Sequence, residues 1–473
     1  MINDSPDKVI TDKKMRITAE EFQKQFKKNL TKIKEDIIRS TQSLNAGSTE
    51  GSGDFSIGHP SLSKLVEVRK ILYNSCKEVL SKDTDNDTFG GYGKEVKDND
   101  GKKYAIEERL LQYGDHDTMS QGQLAFRHSL SKFLKKHYGD VNNLEPHNLF
   151  VTNGVSSMIE LVCGIFTKSG DIIFVQNPTY YAALRIFQDH DLQIVEVKSD
   201  NEGLDLDNLE MILSSLVIPK NPRLLYSVTS YNNPSGSTLS YSRRKRLIKL
   251  AQKYNLIILS DEVYDLLSFP NSIIEKHLPL ACYEGSENHV ISMGSFSKIL
   301  CPGIRLGWAQ CDGQILGPDS DDTDKNAPEL IRKFVNRGYI FSGGGLNPFT
   351  SGLVKQIIDS GKLEELLNLF RSLYEKRAKT LENALKEFLP EESSFFIPKG
   401  GYFLCIKLPQ HINSEVFISF AKKAGVGFLP GSNCSITSIE WNNYARICFC
   451  HYEDKELIEG AKRLGKAISN YKA

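Results

Sequence analysis

The 473-residue sequence has no run of about eighteen apolar residues, so nothing in it reads as a membrane-spanning helix. It also lacks a charge surplus: lysine and arginine number 59, as do aspartate and glutamate, leaving no overall electrostatic pull toward nucleic acid or an anionic membrane. A second cysteine pair at zinc-finger spacing is missing. The nine cysteines, an odd number, suit a reducing compartment better than a disulfide framework. Cys448-Phe449-Cys450-His451 accordingly reads as alternating strand packing, and no metal is expected. The opening residues, Met1-Ile2-Asn3-Asp4-Ser5-Pro6-Asp7, carry acids and no apolar core, which argues against a secretory signal or an arginine-rich transit peptide; a cytoplasmic location is the expectation.

Residues 18–38 place Phe22, Phe26, Leu30, Ile33 and Ile37 at helical spacing, and a glycine- and serine-rich break follows, so 1–54 reads as an N-terminal helix and linker. From Asn148 to Trp308, short apolar runs at 149–151, 172–175, 224–228, 256–259 and 290–293 alternate with helical stretches such as Ser242 to Tyr254. That rhythm predicts an α/β fold: a mostly parallel sheet covered by helices on both faces, in a large domain over 55–345. Two polar insertions interrupt it, at 82–103 and 312–329. The first has Asp83, Asp85 and Asp87 at calcium-loop spacing, but Thr88 stands where a glycine is needed and Lys94 where the bidentate glutamate belongs, so a solvated insertion is expected. Beyond Pro348, a helical pattern over 363–388 and strands near 402–406 and 445–449 predict a smaller α+β domain over 346–473.

In a sheet of this kind ligands gather beyond the carboxyl ends of the strands, and the polar signatures sit there. Ser295-Phe296-Ser297-Lys298 supplies an amine and two hydroxyls, and Arg305 follows with a guanidinium fork suited to a phosphate dianion. A lysine whose pKa can be lowered is what Schiff-base chemistry requires, so the stretch reads as an anchor for pyridoxal phosphate. Gly154, Val155 and Ser156 open a helix after a strand and offer free amides to an anion. Tyr180, in Asn177-Pro178-Thr179-Tyr180-Tyr181, can stack on a flat heteroaromatic ring. Asn233 can donate to a phenolate oxygen. Asp261 can keep a pyridine nitrogen protonated, and Tyr264 can donate to the ring oxygen.

In this order the motifs resemble those of the fold-type I pyridoxal-phosphate enzymes, and among them the class I/II aminotransferases, from about Phe55 to the C-terminus. The match runs through Asn177-Pro178-Thr179-Tyr180, Asn233-Pro234-Ser235-Gly236, Asp261-Glu262-Val263-Tyr264, Ser295-Phe296-Ser297-Lys298 and Pro302-Gly303-Ile304-Arg305-Leu306-Gly307. The resemblance implies that Lys298 carries the cofactor as a Schiff base, Asp261 pairs with the pyridine nitrogen, Asn233 and Tyr264 contact the ring oxygen, and Tyr180 stacks on the ring. Gly154, Val155, Ser156, Ser295, Ser297 and Arg305 would surround the phosphate. Arg446, in Tyr444-Ala445-Arg446-Ile447-Cys448-Phe449, matches the arginine that grips the substrate α-carboxylate, with Asn233 and Gly58 beside it. Members of the family are usually homodimers, and Tyr113 matches a tyrosine lent to the partner's site.

The implied reaction is ping-pong transfer of an amino group from an L-amino acid to a 2-oxo acid such as 2-oxoglutarate. The 341–349 segment and a lid at Ser56-Ile57-Gly58-His59 are most similar to the 2-aminoadipate, kynurenine and aromatic branch. A carbon-sulfur lyase or an aminocyclopropane-carboxylate-synthase-like enzyme is the alternative on the same scaffold. A cofactor-sensing regulator ranks lowest, since about fifty residues precede Phe55, too few for the winged-helix domain and linker such fusions carry.

Overall fold

The computed structural model describes residues 53–81, 96–97, 103–104, 110–111, 120–141, 143–219, 221–272, 277–312, 329–437 and 440–472. The expected helix at 18–38, Tyr113 and most of both polar insertions lie outside them.

The described chain opens with β1 (Gly53–Asp54) and α1 (Leu62–Leu80), and a short antiparallel pair, β2 (Val96–Lys97) and β3 (Lys103–Tyr104), precedes α2 (Leu124–Tyr138). The large unit then runs β4 (Leu149–Thr152), α3 (Val155–Phe166), β5 (Ile172–Asn177), α4 (Tyr181–Asp189), β6 (Gln193–Asp200), β7 (Gly203–Leu204), α5 (Leu206–Ser214), β8 (Arg223–Val228), α6 (Tyr241–Tyr254), β9 (Leu256–Asp261), β10 (Val290–Ser295), α7 (Phe296–Ile299) and β11 (Gly307–Gln310). Among the described residues, eight of these strands form one sheet in the order β4-β11-β10-β9-β8-β5-β6-β7. Strands β6, β5, β8, β9 and β10 run parallel, while β11 is antiparallel to both neighbours. Every position of β9 is buried, as its unbroken Leu-Ile-Ile-Leu run requires of a central strand covered on both faces. Helix α6 buries Leu247, Ile248, Leu250, Ala251 and Tyr254, and ends at Asn255 in the left-handed conformation that stops many helices.

Several strands run further than their apolar cores suggest, and the added residues are polar. β5 continues to Asn177, β9 to Asp261 and β10 to Ser295, because each still pairs with a neighbour: Asn177 with Lys198, Asp261 with Val228 and Met293, Ser295 with Gly307. Asp261 therefore closes a strand. It does not begin a helix, and Tyr264 precedes a single 3-10 turn at Asp265–Leu267.

Two further helices follow, α8 (Glu329–Val335), which packs on α3, and α9 (Gly338–Gly343); the second unit then comprises α10 (Pro348–Asp359), α11 (Lys362–Phe388), β12 (Ser394–Phe395), β13 (Phe403–Lys407), α12 (Ser414–Lys423), β14 (Val426–Gly427), β15 (Leu429–Pro430), β16 (Tyr444–Cys448) and α13 (Asp454–Asn470). Its sheet is antiparallel, ordered β12-β13-β16-β15, with α13 against α11; the preceding α10 packs on α1 and α2. The alternation expected through Cys450 stops at Cys448, and Cys450 lies past the ladder with its Sγ 3.3 Å from that of Cys448. β1 pairs in parallel with β14, and Phe55 bonds to Gly427 and Cys448 through its backbone (2.9 and 3.0 Å). The lead-in segment is thus fastened to the small unit before it reaches the large one. Among the described residues no helix is long and apolar enough to cross a membrane.

Candidate active site

A cavity of about 380 Å³ opens where the carboxyl ends of the parallel strands meet the small unit. Each element delivers a group to it. α7 is only one turn long, and Ser295 caps it by accepting from the Ser297 amide (3.1 Å), which turns Lys298 back toward the sheet. Lys298 is half-buried; Tyr402 fixes its backbone by donating to the Lys298 carbonyl (2.7 Å), and its Nζ lies 3.5 Å from the Gly58 carbonyl. Burial, with the Arg446 charge adding to it, holds this amine below the usual lysine range.

Asp261 is buried at the end of β9. Burial pushes its carboxyl up to about 6, against the pull of a hydrogen bond from the Tyr226 hydroxyl to Oδ2 (2.8 Å). Burial likewise raises Tyr180 and Tyr264, so both phenols stay protonated and can donate.

The anion end is built by close backbone approach. Gly154 caps α3 with φ +93°, and a Cβ there would lie 3.0 Å from Nη2 of Arg305. Arg305, itself at φ +47°, donates to Ser297 Oγ (3.2 Å) and the Asn153 carbonyl (3.0 Å). Asn347 latches this corner by donating to Asn153 Oδ1 (2.6 Å) and the Arg305 carbonyl (2.7 Å).

Opposite, Arg446 on β16 sits with its guanidinium 4.2 Å from the centre of the Phe403 ring. It donates to Asn233 Oδ1 (3.0 Å) and the Ser56 carbonyl (2.5 Å), while its Nε is buried without a partner. A buried donor left open in this way suits a ligand carboxylate.

The fold brings together Gly58, Val155, Ser156, Tyr180, Asn233, Asp261, Tyr264, Ser295, Ser297, Lys298, Arg305 and Arg446 around this single space. Gly154 stands directly behind Arg305, and Tyr113 lies outside the described residues. Sequence reasoning missed Tyr226, Tyr402, Phe403 and Asn347. Tyr226 hides in an apolar strand; the Gly400-Gly401 step before Tyr402 was the one available signal for a close approach.

A half-buried amine, a buried carboxylate, and a corner of hydroxyls and guanidinium at a helix start fit pyridoxal phosphate at its carbonyl, its ring nitrogen and its phosphate. Fold and site together define a fold-type I pyridoxal-phosphate enzyme. Residues 99–464 match the family described as aminotransferase class I and II, and the chain belongs to that family: it is a pyridoxal-phosphate-dependent transaminase acting on amino acids and 2-oxo acids. An aromatic amino acid aminotransferase of Schizosaccharomyces pombe is 32% identical over 422 residues, 81% of this chain and 83% of that one. An aromatic-amino-acid aminotransferase of Thermococcus litoralis is 28% identical over 368 residues, 78% and 81% of the two chains. Among solved structures, the kynurenine aminotransferase of Pyrococcus horikoshii superposes with a TM-score of 0.73 at 27% identity, covering 91% of this chain and 94% of that one.

Proposed function

We propose that the chain moves the amino group of an aromatic L-amino acid to a 2-oxo acid such as 2-oxoglutarate, using one cavity for both half-reactions. The observation that carries this reading is the open, buried Nε of Arg446 in a cavity walled by Ile57, Val155, Ile159, Phe403 and the two tyrosines 180 and 181. A carboxylate is common to donor and acceptor, so one guanidinium fork serves both, while the apolar and aromatic wall favours a ring over a second charge. Relatives are also named for 2-aminoadipate and kynurenine, which makes these the competing donors.

Lys298 would hold the cofactor, Asp261 its ring nitrogen, Asn233 and Tyr264 its ring oxygen, and Tyr180 its face. The phosphate would fall to Gly154, Val155, Ser156, Ser295, Ser297 and Arg305. Pyridoxal phosphate supplies, when bound, a sink for the electron pair left at the substrate Cα. With its Nζ free, Lys298 would take the Cα proton and return it, and its lowered pKa favours the neutral amine that role needs. The Ser56–His59 segment lines the cavity, held by Arg446 through Ser56 and by Lys298 through Gly58, and would serve as a lid over the bound substrate.

The same reading divides the chain into a cofactor-binding part over 55–345 and a small part over 346–473. It also makes the protein a cytoplasmic homodimer to which Tyr113 of a second copy contributes. Nine free cysteines support a reducing compartment, and the exposed Tyr73, Leu111, Tyr339 and Phe341 support a partner surface.

The test is an absorbance titration of cofactor-loaded protein with phenylalanine, kynurenine, 2-aminoadipate, glutamate and alanine, without oxo acid. Loss of the cofactor's visible band at the lowest concentrations of phenylalanine or kynurenine, restored by 2-oxoglutarate, is the expected result. Preference for 2-aminoadipate would overturn the aromatic assignment. Turnover that needs no oxo acid would overturn the transfer itself.

A further inference from the structure

A second cavity, of about 350 Å³, lies one residue along the chain from the first: Tyr264 lines one and Asp265 the other. It forms between α2, the 265–272 segment and α11. Its cation is Arg371, which donates Nε–H to the Leu266 carbonyl (2.6 Å) and sets Nη2 3.5 Å from His137 Nδ1. No acid among the described residues pairs with Arg371. Glu364, whose charge it feels, pairs instead with Lys136 (3.3 Å) and lies 3.1 Å from His137. The Asp265 carboxylate is already occupied, Oδ1 by Ser230 (2.6 Å) and Oδ2 by Tyr138 (2.7 Å).

Burial lowers both histidines, His277 to about 4, so near neutrality Arg371 is the cavity's cation. His277 also has a buried Nδ1 without a partner. A half-buried cation that makes no direct ion pair among the described residues, beside an unpartnered ring nitrogen, is a site open to an anion. The remaining walls are largely rings, those of Tyr138, Tyr231 and Phe269. They suit a flat apolar body better than a bare inorganic ion.

We propose that this cavity is a second binding site, for a small aromatic carboxylate, with the carboxylate on Arg371 and His277 and the ring among Tyr138, Tyr231 and Phe269. The proposal is independent of which donor the first cavity takes.

The probe is phenylacetate, titrated calorimetrically into cofactor-loaded protein. Binding should survive Arg446→Gln, which disables the first cavity's carboxylate grip, and should weaken roughly tenfold or more in Arg371→Gln, the effect of losing a charge-assisted fork. Because Arg371 also supports the Leu266 carbonyl, Asn368→Trp serves as a second variant. It plugs the mouth from an exposed position on α11 and leaves that bond alone; it should abolish binding without moving the thermal transition. Binding lost in Arg446→Gln but kept in both cavity variants would overturn the proposal. So would inorganic phosphate binding as tightly as phenylacetate, or no heat from phenylacetate up to about 10 mM, where even weak sites fill.

Discussion

The Tyr226 hydroxyl donates to Oδ2 of Asp261 across 2.8 Å, from β8 to the end of β9, with both groups buried. A carboxyl this deep would rise further were it not for that donor, since a hydrogen bond to the ionised form favours it. Tyr226→Phe should therefore raise the Asp261 pKa and move the acid limb of the kcat/KM profile to higher pH by about one unit, the value of a typical bond to a charged group. Activity near pH 6 should fall more than activity near pH 8, about fivefold at the lower pH. Superimposable profiles for the two enzymes would show that Tyr226 only fills space.

Gly154 and Arg305 approach so closely that a methyl group between them would push the guanidinium aside. Alanine at 154 meets two penalties: a φ of +93°, which side chains avoid, and a Cβ at 3.0 Å from Nη2 of Arg305. Relieving the second moves the guanidinium off Ser297 and Asn153, the corner proposed for the phosphate. Gly154→Ala is expected to lose about 1 to 3 kcal/mol of stability and to release pyridoxal phosphate on dialysis that the parent protein retains. Equal retention would remove Gly154 and its corner from the phosphate site.

The order of the strand-end motifs was legible before the fold, because a parallel α/β sheet sends every strand's carboxyl end to one side. Lys298, Asp261, Asn233 and Tyr180 meet for that reason alone. Contacts across the two units were not legible. Tyr402 looks like one more apolar strand residue until the small unit docks and its hydroxyl reaches the Lys298 carbonyl, 104 positions away. Phe403 under Arg446, and Arg371 beside His137 across 234 positions, depend on the same docking. Tyr226 escaped for a local reason: in a strand buried on both faces, alternation does not say which side chain points at the site. The pairing that carries Asn177, Asp261 and Ser295 into their strands is likewise set by neighbours, and local residue type had ended those strands early.

Arg446 holds Asn233 and the Ser56 carbonyl through its terminal nitrogens and keeps Nε free. Lysine keeps the charge but has no fork, so it cannot hold the lid segment, Asn233 and a substrate carboxylate together. Arg446→Lys should raise KM for the amino donor and for 2-oxoglutarate alike and lower kcat/KM by about 10- to 100-fold, as expected for a lost bidentate charge-assisted pair. The Lys298 cofactor absorbance should be unchanged. An effect on the donor alone would mean that the two substrates do not share this guanidinium.

His277 gives the molecule a pH dependence of the same origin as that of Asp261 and of opposite sign. Burial, helped by the Arg244 charge, lowers this imidazole from 6.5 to about 4, so the unfolded chain takes up its proton first as the pH falls. Stability is full above pH 6.5 and declines from there toward pH 4, where the folded imidazole at last protonates. Glutamine at 277 has no such proton to take up. Partial exposure reduces the ideal figure, leaving a difference in slope worth on the order of 2 kcal/mol across that window. Chemical denaturation of the parent protein and His277→Gln at several pH values measures it: the two stability curves should run parallel above pH 6.5 and converge or cross as the pH falls toward 4. Curves that stay parallel down to that point would mean that His277 protonates in the folded protein as easily as in water, and that its ring is not desolvated near the Arg244 charge.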